Sequence, residues 1–137
     1  MRTTLMLAAV AAITFTGCAG GQKLQTDPDI LALERNPTRC HSPEECEMMW
    51  AAARNWILSH SSYKIQTYST DMIETHNPSP YDAGIAVRAT KDPEGGGVYR
   101  IRVVIWCNNM FGCVPGLKES ILSFHRTVRA RALPTNP

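Results

Sequence analysis

Four of the five cysteines stand in two pairs with the same spacing. Five residues separate Cys40 from Cys46, and five separate Cys107 from Cys113. Neither pair has the two-residue spacing that thioredoxin-type redox motifs and zinc ribbons use. The spacing therefore favours disulfides over zinc binding or thiol catalysis.

Four cysteines allow three disulfide connectivities. In the chain-entropy model, closing a seven-residue loop should stabilise by roughly 2.4 kcal/mol, whereas a 68-residue loop from Cys40 to Cys107 would give about 4.4 kcal/mol. Turn-forming residues argue the other way. The chain can turn at Ser42, between Cys40 and Cys46, and at Gly112, between Cys107 and Cys113. We expect the two local pairs.

One histidine could take part in acid–base chemistry. His76 lies two residues after Glu74, on the same face of a predicted strand, and such a pair can transfer protons. Two solvated side chains on an exposed face fit this pattern as well. The chain contains no H-E-x-x-H, G-x-S-x-G or P-loop sequence. We predict no catalytic residue, no metal site and no cofactor, and we expect a protein that is not an enzyme.

The fifth cysteine follows an apolar segment. Arg2 precedes the apolar residues 5–15, which are too few to span a bilayer comfortably, and Phe15-Thr16-Gly17-Cys18 ends the segment. This sequence resembles the lipobox of bacterial lipoproteins, with Phe15 where Leu is usual. The resemblance implies that residues 1–17 are a signal peptide and that Cys18 carries the lipid, including palmitate.

The same resemblance implies a location in the cell envelope. Ala19 and Gly20, rather than Asp, follow the cysteine. A lipid-anchored protein of the outer membrane, facing the periplasm, is the expectation. The periplasm is oxidising, which agrees with disulfides. The globular part resembles proteobacterial lipoproteins whose function is unknown, and this resemblance assigns no site residues.

Composition indicates one small domain with little net charge. Fourteen Lys and Arg oppose twelve Asp and Glu, and a chain without Arg2 has thirteen against twelve. This balance argues against a nucleic-acid-binding protein, which would carry a clear basic excess. Residues 18–39 contain Gly20-Gly21, Pro28 and Pro37, and they are expected to form the lipidated cysteine and a flexible tether. Residues 40–133 are then the disulfide-bearing domain.

Hydrophobic periodicity predicts an α+β fold. Ser42-Pro43 followed by Glu45 is typical of a helix start, and that helix should end near His60. Alternating segments predict four strands, and an apolar stripe after Gly116 predicts a C-terminal helix. Short links favour an antiparallel meander with both helices on one sheet face. The predicted strands are residues 63–68, 72–76, 84–90 and 98–107.

The outward face of this sheet is the first candidate binding surface. Cationic residues at its centre and aromatic or apolar residues towards its edges suit an anionic or protein partner. Arg88, Arg100, Arg102 and Trp106 are the predicted binding residues. The same face could simply be solvated. The outward residues are Lys64, Gln66, Tyr68, Met72, Glu74, His76, Arg88, Thr90, Arg100, Arg102, Val104 and Trp106.

The loop closed by Cys107 and Cys113 is the second candidate. Met110 and Phe111 lie at its tip, where they could contact a partner or fold back onto the core. We expect a lipid-anchored, non-enzymatic binding or accessory module. Its partners would be the membrane, through its lipid, and an envelope protein or an anionic glycan or lipid. An inhibitor-like lipoprotein acting through the 107–113 loop and a small envelope hydrolase are the alternatives.

Overall fold

The fold begins with a short helix and a short strand, and continues with a long helix, four strands and a final helix. The computed structural model describes residues 23–133. One antiparallel sheet with helices against it makes this a small α+β domain, as predicted. The elements are α1 (Pro28–Arg35), β1 (Thr38–Cys40), α2 (Pro43–His60), β2 (Ile65–Tyr68), β3 (Met72–Thr75), β4 (Ala86–Gly95), β5 (Val98–Trp106) and α3 (Leu117–Arg129).

Helix α2 begins at the predicted capping sequence. The Ser42 hydroxyl accepts a hydrogen bond from the backbone N–H of Glu45 at 3.2 Å, and Pro43 occupies the first helical position. The Glu45 carboxylate reaches one residue further back than a capping box requires, and accepts from the N–H of His41 at 2.6 Å. Its other oxygen accepts from the N–H of Leu133 at 3.1 Å. This buried carboxylate therefore joins the start of α2 to the C-terminal segment.

The five strands lie in the order β1–β5–β4–β3–β2, and every neighbouring pair is antiparallel. Strands β2 to β5 form the predicted meander. Gly95, Gly96 and Gly97 turn the chain between β4 and β5, and all three have positive φ, which glycine adopts at little cost.

Both α2 and α3 cover the same face of the sheet, as predicted. The buried core combines residues of both helices with the inward residues of alternating strand positions. Polar alternation on β5 follows the prediction, since Ile101 is buried and Arg102 is exposed. The largest fully buried apolar side chains are Phe124, Met49, Ile57, Ile73, Ile85, Ile101, Val87 and Val128.

The segment predicted to be a flexible tether differs from that expectation between residues 28 and 39. Helix α1 is capped by Asp27, whose carboxylate accepts from the N–H groups of Asp29 and Ile30. Lys118 of α3 forms ion pairs with Asp27 and Asp29 at 2.8 and 2.7 Å. Strand β1 then pairs with the edge of β5. Local capping and long-range pairing outweigh the tether-like composition here. Cys18 and the predicted signal peptide, residues 1–17, lie outside the described residues.

A β-bulge changes which residues of β2 face outwards. The register shifts between Ile65 and Thr67, so that Tyr68 lies opposite the buried Ile73. The prediction that Tyr68 faces away from the helices is therefore wrong. Its ring lies on the helix side, with the Arg54 guanidinium of α2 5.3 Å from the ring centroid.

The first disulfide joins β1 to α2. Cys40 and Cys46 form a disulfide with sulfurs 1.89 Å apart, which is the local pairing that the turn residues favoured. Both residues are buried among the core side chains. The disulfide therefore closes the turn into α2 and also belongs to the core.

A buried histidine connects α3 to β1. The Nδ1 atom of His125 lies 2.7 Å from the Thr38 hydroxyl oxygen, and this oxygen accepts a hydrogen bond from Arg129 Nε at 2.9 Å. The hydroxyl is then free to donate its proton to Nδ1, which suits a neutral imidazole. Burial, followed by the positive charges of Arg129 and Arg100, lowers the pKa of His125 to about 4.

Removal of the first disulfide should destabilise the domain. Replacing Cys40 and Cys46 with alanine is expected to lower the free energy of unfolding by about 2 kcal/mol or more, because the loop constraint and buried sulfur contacts are both lost. Replacing Cys107 and Cys113 instead should cost less, since that pair closes a peripheral loop. Urea denaturation under non-reducing conditions measures both. Equal losses for the two variants would contradict the core role of the first disulfide.

The buried His125 predicts a pH-dependent stability. The unfolded chain binds a proton near the ordinary pKa of 6.5, whereas the folded chain resists it down to about pH 4. The free energy of unfolding should therefore fall as the pH drops from 6.5 to 4, by at most roughly 3 kcal/mol. His125→Gln should reduce this slope in urea titrations, and His76→Gln, at an exposed position, should keep it. An unchanged slope in the His125 variant would contradict the assignment.

Candidate contact surface at one end of the sheet

Four large apolar side chains project into solvent at the end of the sheet where β5 finishes. The exposed fractions are 94% for Phe111, 85% for Met110, 84% for Tyr81 and 70% for Val114. They come from two loops, residues 77–85 and 107–116, and we call these four side chains the apolar end. Scattered exposed apolar residues are common, but a group of this size at one place is typical of a contact surface.

The loop that carries Met110 and Phe111 is held in shape by several bonds. Cys107 and Cys113 form the second disulfide, with Cα atoms 5.6 Å apart. The Asn109 side chain accepts from the N–H of Phe111 and donates to the carbonyl of Tyr81, both at 2.8 Å. The loop is thus closed by a covalent bond and fastened to its neighbour by one asparagine side chain.

The backbones of the two loops also bind each other directly. Asn108 donates to the carbonyl of Asp82 at 3.2 Å, and Val114 donates to the carbonyl of Ala83 at 2.8 Å. Gly84 forms a parallel bridge with Val114. These contacts fix the spacing of the apolar side chains that the two loops carry.

A hydrogen bond between Tyr63 and Asp82 holds the 77–85 loop in place. Tyr63 donates its phenolic proton to Asp82 at 2.6 Å, and its oxygen accepts from the N–H of Ser79 at 3.2 Å. The other Asp82 oxygen accepts from the N–H of Gly84 at 2.8 Å. The bond to Asp82 raises the pKa of Tyr63, and the same bond lowers the pKa of Asp82. Both groups therefore keep their donor and acceptor roles over the physiological pH range.

An open groove of about 1000 Å³ begins beside the apolar end. It lies between the loop of Met110, the first turn of α3 and the chain that leads into α1. Its lining is mainly apolar, and Lys23, Lys118 and Arg126 contribute cations. The apolar lining residues are Leu24, Trp106, Met110, Leu117 and Leu122.

The cationic patch predicted on the outward face is largely neutralised by its own carboxylates. Arg88 donates from Nε to Glu74 at 3.0 Å, across β3 and β4. Arg102 donates from Nε to Asp92 at 2.7 Å, across β4 and β5. The positive charges of Arg88 and Arg102 are therefore each offset by a carboxylate within the sheet.

Strand register also separates the predicted binding residues. Arg88 lies opposite Val104 and Arg102 opposite Thr90, so the two arginines are diagonal neighbours and Arg100 lies further along β5. The Arg100 Nε atom is buried, without a hydrogen-bond partner in the described part of the chain. Trp106 is half-buried and lines the groove near the apolar end. Only Phe111, among the predicted binding residues, has an almost fully exposed side chain.

Sequence reasoning identified Phe111 and Met110 but missed Tyr81 and Val114. Tyr81 follows Pro80 in a loop without periodicity, and its φ of 63° is unusual for a bulky residue. Val114 directly follows Cys113, so the closing disulfide was the available signal for it. The contact between their two loops is long-range and leaves no trace in local spacing.

The carboxylate of the predicted proton-transfer pair, Glu74 and His76, has another partner. Glu74, the proposed partner of His76, is engaged by Arg88. Among residues 23–133, no group of three or more His, Cys, Asp or Glu side chains is placed to hold a metal ion. No helix in this same part of the chain is long and apolar enough to cross a membrane.

Comparison with known proteins gives no further assignment. No family model, no curated protein and no solved structure matches this chain.

Loss of the Asn109 side chain should loosen the 107–113 loop. Asn109→Ala removes the hydrogen bonds to Phe111 and Tyr81, each worth about 1 kcal/mol, so local opening should become about tenfold easier or more. Faster amide hydrogen exchange at Phe111 is the expected observation, with little change in the global unfolding midpoint. Asn108→Ala is the matched control, because Asn108 is bound through its backbone. Equal exchange rates in the two variants would contradict this role.

Proposed function

We propose that this chain is a lipid-anchored, non-enzymatic binding module of the cell envelope, and that it makes its contacts through the apolar end. Cys18, within its lipobox-like sequence, is the anchoring residue of this proposal. The anchor keeps the domain at a membrane, and the apolar end supplies the contact.

The observation that carries the proposal is the exposure of Phe111 on a loop that cannot easily fold back. A free phenylalanine at a loop tip would gain about 2 kcal/mol by burying its ring against the protein. The disulfide and the Asn109 hydrogen bonds hold it outwards instead. A contact side chain ordered in advance loses little conformational entropy on binding.

The outward sheet face is the weaker surface for this function. Its arginines are already paired with Glu74 and Asp92 across the strands. An anionic partner would have to compete with these carboxylates. Exposed ion pairs of this kind also contribute little to binding energy.

An inhibitor-like action is the second candidate, and the same loop favours it. A rigid loop with an exposed aromatic tip has the form of a device that enters a cleft of a partner enzyme. The two candidates share the contact surface and differ in what the contact does. A hydrolase has no comparable support, since Glu74 is held by Arg88.

One experiment tests both the anchor and the surface. The full chain is expressed with photoreactive benzoylphenylalanine at position 111, or at position 102 as the exposed control on the outward face. After irradiation of whole cells, we expect an acylated Cys18 by mass spectrometry, cross-linked adducts of position 111, and none of position 102. Adducts at position 102 alone would assign the contact to the outward face. An unmodified Cys18, or the absence of adducts at both positions, would refute the proposal.

A further inference from the structure

We propose that the apolar end inserts into the lipid surface that carries the anchor, so that the domain stands with this end of its sheet against the membrane. This inference rests on the proposed lipid anchor at Cys18. It adds the identity of what the apolar end contacts and the orientation of the domain.

The chemistry of the exposed residues suits a lipid surface. Phe111 and Met110 are apolar throughout, and Tyr81 combines an apolar ring with a polar hydroxyl, as side chains at membrane interfaces do. All three are more than four-fifths exposed. The two loops present them at one end of the molecule, so that they can enter the same surface together.

The described chain begins at this same end. Lys23 and Leu24 line the groove that Met110 also lines. Four residues separate Lys23 from Cys18, so the two Cα atoms can be at most about 18 Å apart. Strand β5 has nine residues and spans about 30 Å, which separates the groove from the turn at Gly96. A lipid on Cys18 can therefore bring the apolar end to the membrane more readily than the opposite end.

Charge around the groove favours apolar insertion over headgroup attraction. The Lys118 ammonium is engaged by Asp27 and Asp29. Glu119 also lines the groove and offsets one of its two remaining cations, Lys23 and Arg126. With so little net positive charge, the contact should form on zwitterionic lipid and should depend weakly on salt.

The contact is shallow and serves to orient the domain. Loops 77–85 and 107–116 carry hydrogen-bonded polar groups directly behind the apolar side chains, such as the Asn109 amide and the Asp82 carboxylate. Burying these groups in hydrocarbon would be costly. Phe111 and Met110 therefore enter the lipid while the supporting residues stay in the headgroup region.

Photo-cross-linking in protein-free vesicles tests the inference. The full lipidated chain is reconstituted into phosphatidylcholine vesicles with benzoylphenylalanine at position 111. Met48 is the matched control position, because it is an exposed apolar residue near the start of α2, next to the Cys40–Cys46 disulfide at the far end of the sheet. We expect adducts to phosphatidylcholine at position 111 and none at position 48.

The outcomes separate the two proposals. An acylated, vesicle-bound chain without lipid adducts at position 111, or with equal adducts at positions 111 and 48, overturns the lipid contact and leaves the anchor standing. Cross-links from position 111 to a second copy of the chain also overturn it, in favour of self-association. A chain whose Cys18 is unmodified fails the proposed function, and the lipid contact falls with it.

Discussion

The Cys107–Cys113 disulfide constrains the end of the domain on which its proposed function depends. Apolar side chains in a loop tend to collapse onto the nearest apolar surface. A groove lined by Leu117 and Leu122 lies beside the loop of Met110 and Phe111. The disulfide restricts that movement, and Asn109 fastens the loop to the carbonyl of Tyr81. The disulfide and the Asn109 hydrogen bonds thus keep Phe111 exposed, although the hydrophobic effect favours burial of its ring.

Charge pairing gives the outward face the opposite character. Cross-strand ion pairs join Glu74 to Arg88 and Asp92 to Arg102. A third pair joins Arg39 of β1 to Glu94 of β4 across the intervening strand β5, and it lowers the pKa of Glu94. The face is mainly polar, with Val104 exposed beside the ion pairs. The two surfaces of the domain therefore differ in kind, because the most exposed large apolar side chains of the described residues lie at the apolar end.

Those parts of the fold that depend on local chemistry were predictable from the sequence. Ser42 and Pro43 mark the start of α2, alternation along β5 separates Ile101 from Arg102, and turn residues indicate the local disulfides. Features set by distant partners were not. Strand β1 exists because β5 offers it an edge, and the β-bulge that redirects Tyr68 arises from pairing with β3. The spacing of residues within β1 or β2 does not reveal which strand each of them pairs with.

The candidate site shows the same division. A loop tipped by Met110 and Phe111 was evident from the cysteine spacing, but its exposure depends on how the loop packs. Pairing of Arg88 with Glu74 was foreseeable as an alternative, since both side chains alternate to the same face. The contribution of Tyr81 was not, because it requires two loops about thirty residues apart to lie side by side. Surfaces assembled from separate loops are the part of a fold that local patterns describe least.

Helix α1 gives the domain a way to yield under mechanical load. It has no buried residues and its start forms ion pairs with Lys118 of α3, whereas Cys40 is joined to α2 by a covalent bond. Tension applied through the N-terminus would detach α1 first, and the chain between Lys23 and Thr38 could then extend to a span of at most about 50 Å. The sheet and its core would bear the tension only after this segment had been fully extended. The segment from Lys23 to Thr38 can therefore lengthen under load until the disulfide at Cys40 bears the tension.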